Sequence, residues 1–141
     1  MTFVIDASVA LKWFIEEDGS AEATAFLNAT DSLIAPDLIV VEVCNAAWKA
    51  LRSGTISGEQ QDYAASRLPE LFDELVPLAT LAPRAVAISR ALDHPVYDCF
   101  HLALAEQRGA ALITADRRLL RRLHGTELAT HAQDLRAPIN P

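Results

Sequence analysis

VYDCFHLALAEQRGAALITAD, residues 96–116, reads as a helix, a glycine stop and a strand in direct succession. Val96, Tyr97 and Asp98 open the helix, Gly109 ends it, and residues 111–114 form a short continuous apolar strand. A helix that returns through a tight loop into a strand runs antiparallel to that strand. The start of the helix and the end of the strand therefore lie at the same edge, and so do Asp98 and Asp116.

Outward from this unit the same alternation continues. Residues 3–6 are a strand that ends on a carboxylate, Asp6. Residues 8–17 are apolar and helical, and Ser20 opens a second short helix to about residue 29. Residues 32–35 are a strand, and Pro36 and Asp37 start a long helix that Gly54 stops. Ser57 and Gln60 make a capping box for a helix to about Leu71. Residues 75–78 read as a short strand weakened by Pro77, and Pro83 opens a helix that ends near Asp93. Asp116 starts a helix to about Leu123, residues 127–130 read as a final edge strand, and the tail after Leu135 reads as loosely held. Short apolar strands alternating with helices give an α/β class: a parallel sheet of four to five short strands with helices on both faces.

The 141 residues suit one domain, residues 1–141, and 51% hydrophobic content suits a packed core. No apolar run spans a bilayer, and no basic-then-apolar leader opens the chain. Cys44 and Cys99 are far apart in helical patterns and read as buried free thiols, as expected of a cytoplasmic protein. The net charge of −7 argues against general nucleic-acid affinity. Such a function would need a local basic patch or a bound cation.

Four acids break apolar patterns: Asp6, Glu42, Asp98 and Asp116. Asp116 also reads as an N-cap and Asp98 as a partner of the helix dipole. Glu42 borders a stripe of Val41, Cys44, Trp48 and Leu51 that reads as the core face of its helix, with Asn45 one turn on. In an open parallel sheet, ligands bind beyond the carboxyl ends of the strands, where all four acids can meet. Two carboxylates about 6 Å apart repel by roughly 3 kcal/mol at an effective dielectric of 20. A divalent cation relieves that repulsion, and hard oxygen donors select magnesium or manganese. The four histidines show no metal-ligand spacing; His94 and His124 read as surface loop residues.

Val4-Ile5-Asp6-Ala7-Ser8, then Pro36-Asp37-Leu38 with Glu42-Val43 and Asn45-Ala46, then Tyr97-Asp98 with Leu102-Ala103-Leu104-Ala105-Glu106, then Thr114-Ala115-Asp116, resembles the PIN-domain ribonucleases. It resembles most the VapC toxins of toxin–antitoxin operons. The resemblance runs from residue 3 to about 123. It implies a PIN-like fold, Mg²⁺-dependent (or Mn²⁺-dependent) RNA cleavage leaving a 5′-phosphate and a 3′-hydroxyl, and a VapB-like antitoxin partner; a homodimer is expected separately, as a cover for apolar surface. It also implies Asp6, Glu42, Asp98 and Asp116 as the acidic quartet, with Ser8, Asn45 and Thr114 in support. His101 stands where an aromatic residue is usual and Cys99 where alanine is common; neither is expected to touch the acids.

Three further readings follow from the residues. Arg117, Arg118, Arg121 and Arg122 share a helix and make a phosphate track, or else a solvated face, and Lys12 is a fifth candidate RNA contact. Residues 9–15 are apolar almost all round. One of Trp13, Phe14 and Ile15 is therefore expected to stay exposed, in a groove with helix 21–29 that takes an amphipathic antitoxin helix. Two rival functions also fit: an aspartyl-nucleophile phosphotransferase built on Asp6, which expects a second Asp where Ser8 stands, and a non-catalytic PIN-fold interaction domain.

Overall fold

Alternation along each strand decides which face of the sheet a residue covers. A computed structural model of the protein describes residues 1–137. Its strands are β1 (Thr2–Ile5), β2 (Ser32–Pro36), β3 (Glu74–Val76), β4 (Ala111–Thr114) and β5 (Ala132–Asp134). They form one sheet in the order β3-β2-β1-β4-β5, parallel throughout. Val4, Ile34 and Leu112 point to one face; Phe3, Ile5, Leu33, Ala35 and Ile113 point to the other.

The first face is covered by α5 (Leu78–Leu92), α6 (Val96–Arg108) and α7 (Arg117–Leu123). The second is covered by α1 (Ala7–Ala10), α2 (Ser20–Asn28) and α3 (Leu38–Arg52), with α4 (Gly58–Arg67) packed beside α3. The expected α/β class, parallel sheet and two helical layers are all present. The capping box at Ser57 and Gln60 is formed, and Gly54 and Gly109 leave their helices at positive φ, 77° and 59°.

Several boundaries differ from the sequence reading. The helix expected over residues 8–17 is a single turn, α1, followed by a 3₁₀ turn, Leu11–Trp13. The helix expected to open at Pro83 starts at Leu78, with Pro77 as its cap and Pro83 inside it. Pro83 removes the hydrogen bond to the Ala79 carbonyl, but both residues lie on the solvent face, where water replaces it. The strand expected at 75–78 is correspondingly Glu74–Val76. Residues 127–130 are not a strand: Glu127–His131 is a 3₁₀ helix, and the last strand is β5. Of the tail, residues 138–141 lie outside the described residues, while Arg136 is paired with Asp18 at 3.2 Å.

Two faces are the reverse of the expectation. The core side of α3 is Ile39, Val43 and Ala47, whereas Val41 is 65% and Trp48 44% exposed. Residues 9–15 are covered within the chain. Trp13 packs on Phe72 and donates its indole N–H to the Ala23 carbonyl (2.9 Å), Phe14 stacks edge-on to Tyr63, and Ile15 is buried.

Candidate active site

Asp6 follows the last residue of the central strand and caps α1. Its backbone N–H donates to the Ile113 carbonyl (3.0 Å), which locks it beside the end of β4. The side chain is buried, and hydrogen bonds replace its lost water. Oδ1 accepts from the Ala7 amide at 2.9 Å; Oδ2 accepts from Ser8 Oγ at 2.7 Å and Thr114 Oγ1 at 2.8 Å. The two hydroxyls are themselves fixed by the next turn, since Ser8 Oγ accepts from the Ala115 amide and Thr114 Oγ1 from the Asp116 amide, each at 3.0 Å. One network therefore ties the first acid to the turn that carries the last.

Asp116 is the N-cap of α7. Its Oδ1 accepts from the amides of Arg118 (2.9 Å) and Leu119 (3.1 Å). Asp98 sits in the first turn of α6, where its charge suits the helix dipole. Its Oδ2 lies 2.6 Å from His94 Nε2. Burial raises the Asp98 carboxyl above its ordinary value; the His94 bond lowers it, and the charges of Asp6 and Asp116 raise it further. The three acids thus share one electrostatic field. Glu42, from α3, places Oε1 2.7 Å from His101 Nε2. The same imidazole nitrogen is 3.9 Å from Asp6 Oδ1.

These contacts correct two readings. His94 is buried and holds Asp98 rather than standing on a surface loop. His101 is 0% exposed and touches the acidic set directly. Burial works against a charged His101, but the Glu42 bond and the charges of Asp6, Glu42 and Asp98 outweigh it and raise its pKa. The sequence did carry a sign of the second. Asp98 and His101 are spaced i, i+3 on one helix, the spacing that puts side chains on one helical face; His94 lies before that helix and carried no such sign. Cys99 behaves as expected: burial and the charge of Asp98 push its thiol up to about 11.

No Lys or Arg pairs with any of the four acids among the described residues. The donor set is hard oxygen, and the mutual repulsion felt at Asp98 is what a divalent cation offsets. As the side chains stand, no group of three or more His, Cys, Asp or Glu among the described residues is disposed to hold a metal ion. Glu42 and Asp98 each give one oxygen to an imidazole, and the other oxygen of each has no protein hydrogen bond among the described residues.

A cleft of about 520 Å³ is lined by two of the acids, Glu42 and Asp98, with Asn45, Val41, Pro95 and Tyr97 also in its walls. On the far side of Asp116, Arg118, Arg121 and Arg122 line a second depression of about 440 Å³. These three and Arg117 are exposed, and none of them forms an ion pair among the described residues. Lys12 is differently placed: its ammonium lies on Glu17 (3.1 Å) and the Asp18 carbonyl (2.7 Å).

Residues 3–125 match the family model described as PIN domain. Ribonuclease VapC3 of Pyrobaculum aerophilum is 34% identical over 124 residues, 84% of this chain and 92% of that protein. The crystal structure of PAE2754 from Pyrobaculum aerophilum superposes with a TM-score of 0.68 at 20% identity, covering 96% of this chain and 92% of that one. VapBC2 from Rickettsia felis, solved bound to a DNA fragment from its promoter, gives a TM-score of 0.63 at 10% identity over 95% of this chain and 98% of that one.

Proposed function

The chain belongs to the PIN-domain family, and on that premise we propose that it is a metal-dependent endoribonuclease, the VapC-type toxin of a toxin–antitoxin pair. The name of the Pyrobaculum relative, Ribonuclease VapC3, supports the activity. The observation that carries the reading is that four acids from four separate elements are linked at one sheet edge, Asp98 through the charges of Asp6 and Asp116 and Glu42 through the His101 it shares with Asp6, with no Lys or Arg to neutralise them among the described residues. A surface of that kind is costly to keep unless a mobile cation is its partner.

Asp6, Asp98 and Asp116 would hold Mg²⁺ or Mn²⁺, with Glu42 beside them. When bound, the cation stabilises negative charge on the phosphodiester and makes water a better nucleophile. The chain's own residues do the rest. Ser8 and Thr114 fix the Asp6 carboxylate, so it does not reorganise when substrate arrives. Glu42, with Oε2 free, orients the attacking water and takes its proton. Asn45 offers an amide to the substrate where the cleft opens. The arginines of α7 are placed to take flanking phosphates. Lys12, held by Glu17 and Asp18, contributes less.

In this reading residues 1–141 are one domain that acts in the cytoplasm, consistent with the free thiols. Among the described residues no helix is long and apolar enough to cross a membrane. A VapB-like antitoxin is the expected partner, supported by the shared fold of the Rickettsia VapBC2 structure. The exposed Val41, Trp48 and Tyr97 support a homodimer. The deciding experiment is cleavage of labelled RNA with Mg²⁺, with EDTA, and with Asp6→Asn. Cleavage that needs Mg²⁺ and Asp6 bears the reading out; cleavage indifferent to EDTA, or none with Mg²⁺, overturns it.

A further inference from the structure

We infer that His101 is the positioning residue for Glu42: it reaches from α6 to α3 and holds that carboxylate at the site beside Asp6. The inference rests on the ribonuclease reading and adds a residue to it. Glu42 has several rotatable bonds and lies partly open to solvent, so unrestrained it would sample many rotamers. Its one hydrogen bond among the described residues is to His101 Nε2, at 2.7 Å, a charge-assisted length. The ring is fully buried, which restricts its movement.

The other ring nitrogen shows why histidine stands there. His101 Nδ1 is buried and has no partner among the described residues. An unsatisfied buried nitrogen is destabilising, so an apolar side chain would serve packing better at this position. The imidazole's polar contacts are both with site acids, Glu42 at 2.7 Å and Asp6 Oδ1 at 3.9 Å. Asp98 lies three residues earlier on the same helix, so α6 carries one acid of the site and the arm that steadies another.

The test joins kinetics to a spectroscopic signature. His101→Phe removes the donor, whereas His101→Gln keeps an N–H near the Nε2 position. With Mg²⁺ and RNA, His101→Phe should lower kcat about tenfold with KM within about twofold. His101→Gln should return to within about threefold of wild type. In a Glu42→Ala background, His101→Phe should cost nothing more, because the residue acts through Glu42. Independently of activity, the His101 Nε2 proton should give a downfield NMR signal in the metal-free wild type and lose it in Glu42→Ala.

Wild-type kcat in a folded His101→Phe, or losses that multiply with those of Glu42→Ala, overturns the inference and leaves the ribonuclease reading standing. A wild-type protein that cleaves no RNA overturns that reading and this inference with it. If His101→Phe does not fold, His101→Gln and the NMR signal decide: an inactive folded Gln variant, or a signal indifferent to Glu42, counts against the positioning role.

Discussion

Two populations of carboxylates on this molecule are treated in opposite ways. On the outer surface, Glu106 and Glu74 are gripped by both arms of a guanidinium: Arg84 at 2.6 and 2.9 Å, Arg108 at 2.7 and 2.8 Å. These pairs lower the Glu pKa values and link α5 to α6 and α6 to β3. At the carboxyl edge of the sheet the acids receive hydroxyls, amides and imidazoles, and the nearby α7 guanidiniums stay free among the described residues. An Arg on Asp6 or Asp98 would stabilise the fold and exclude a cation. The chain uses permanent counter-charges on its outer surface and leaves them out where, on the proposed reading, a divalent ion would bind.

The sharpest way to test this division is to neutralise one acid of the inner set. Asp6→Asn or Asp98→Asn should reduce Mg²⁺-dependent RNA cleavage by at least about a hundredfold, with circular dichroism unchanged. Near-normal cleavage would place these acids with the outer, structural ones. The free arginines come next. Replacing Arg117, Arg118, Arg121 and Arg122 with Gln should weaken single-stranded RNA binding and flatten the slope of log affinity on log salt by about 3, for four lost phosphate contacts. A salt series that overlays wild type would make them a solvated face.

Stability effects are smaller, and the two populations should differ in sign. Burial and the charges of Asp6 and Asp116 disfavour the Asp98 carboxylate, so Asp98→Asn should leave the metal-free protein level or raise its stability by up to about 1 kcal/mol, read by thermal melts in EDTA. Arg84→Gln should instead destabilise, by less than about 1 kcal/mol near neutral pH. The Glu106 pKa lies below its usual 4.5 in the folded chain, so this contribution is present above 4.5 and fades as pH falls through the lowered value. Wild-type and Arg84→Gln melting curves should converge there; a gap that persists in acid would give the pair's effect to packing.

Much of this was legible in the sequence because it is local. Strand, glycine stop and capping-box signals placed the sheet and most helices, and the four acids stood out by interrupting apolar runs. What failed depended on partners distant in sequence. On α3, Val41-Cys44-Trp48-Leu51 and Ile39-Val43-Ala47 are both credible apolar stripes. The larger side chains favour the first, but the buried face is the smaller second; Val41 and Trp48 stay outside, while Cys44 and Leu51 are half-buried at the border. The segment 9–15 looked too apolar to cover because α2, Phe72 and Tyr63 come to it from three other places in the chain. His94 was read as a surface loop residue because it stands before the helix that carries Asp98, and His101 was not expected to touch the acids although it lies one turn from Asp98.

The strand order places β1 at the centre, between β2, some thirty residues away, and β4, more than a hundred residues away. Loop closure over that distance comes late, and the contacts it makes are the ones that finish Asp6: the Ile113 carbonyl, Thr114 Oγ1 and the turn carrying Asp116. In a nascent chain still short of residue 111, β1 has β2 available to pair with, yet β4, which covers the other side of the central strand and supplies partners to its first acid, is missing. On the proposed ribonuclease reading, for a protein made on a machine built of RNA, this topology would act as a timer. The acidic edge is not assembled until residues 111–116 have folded back against the first strand.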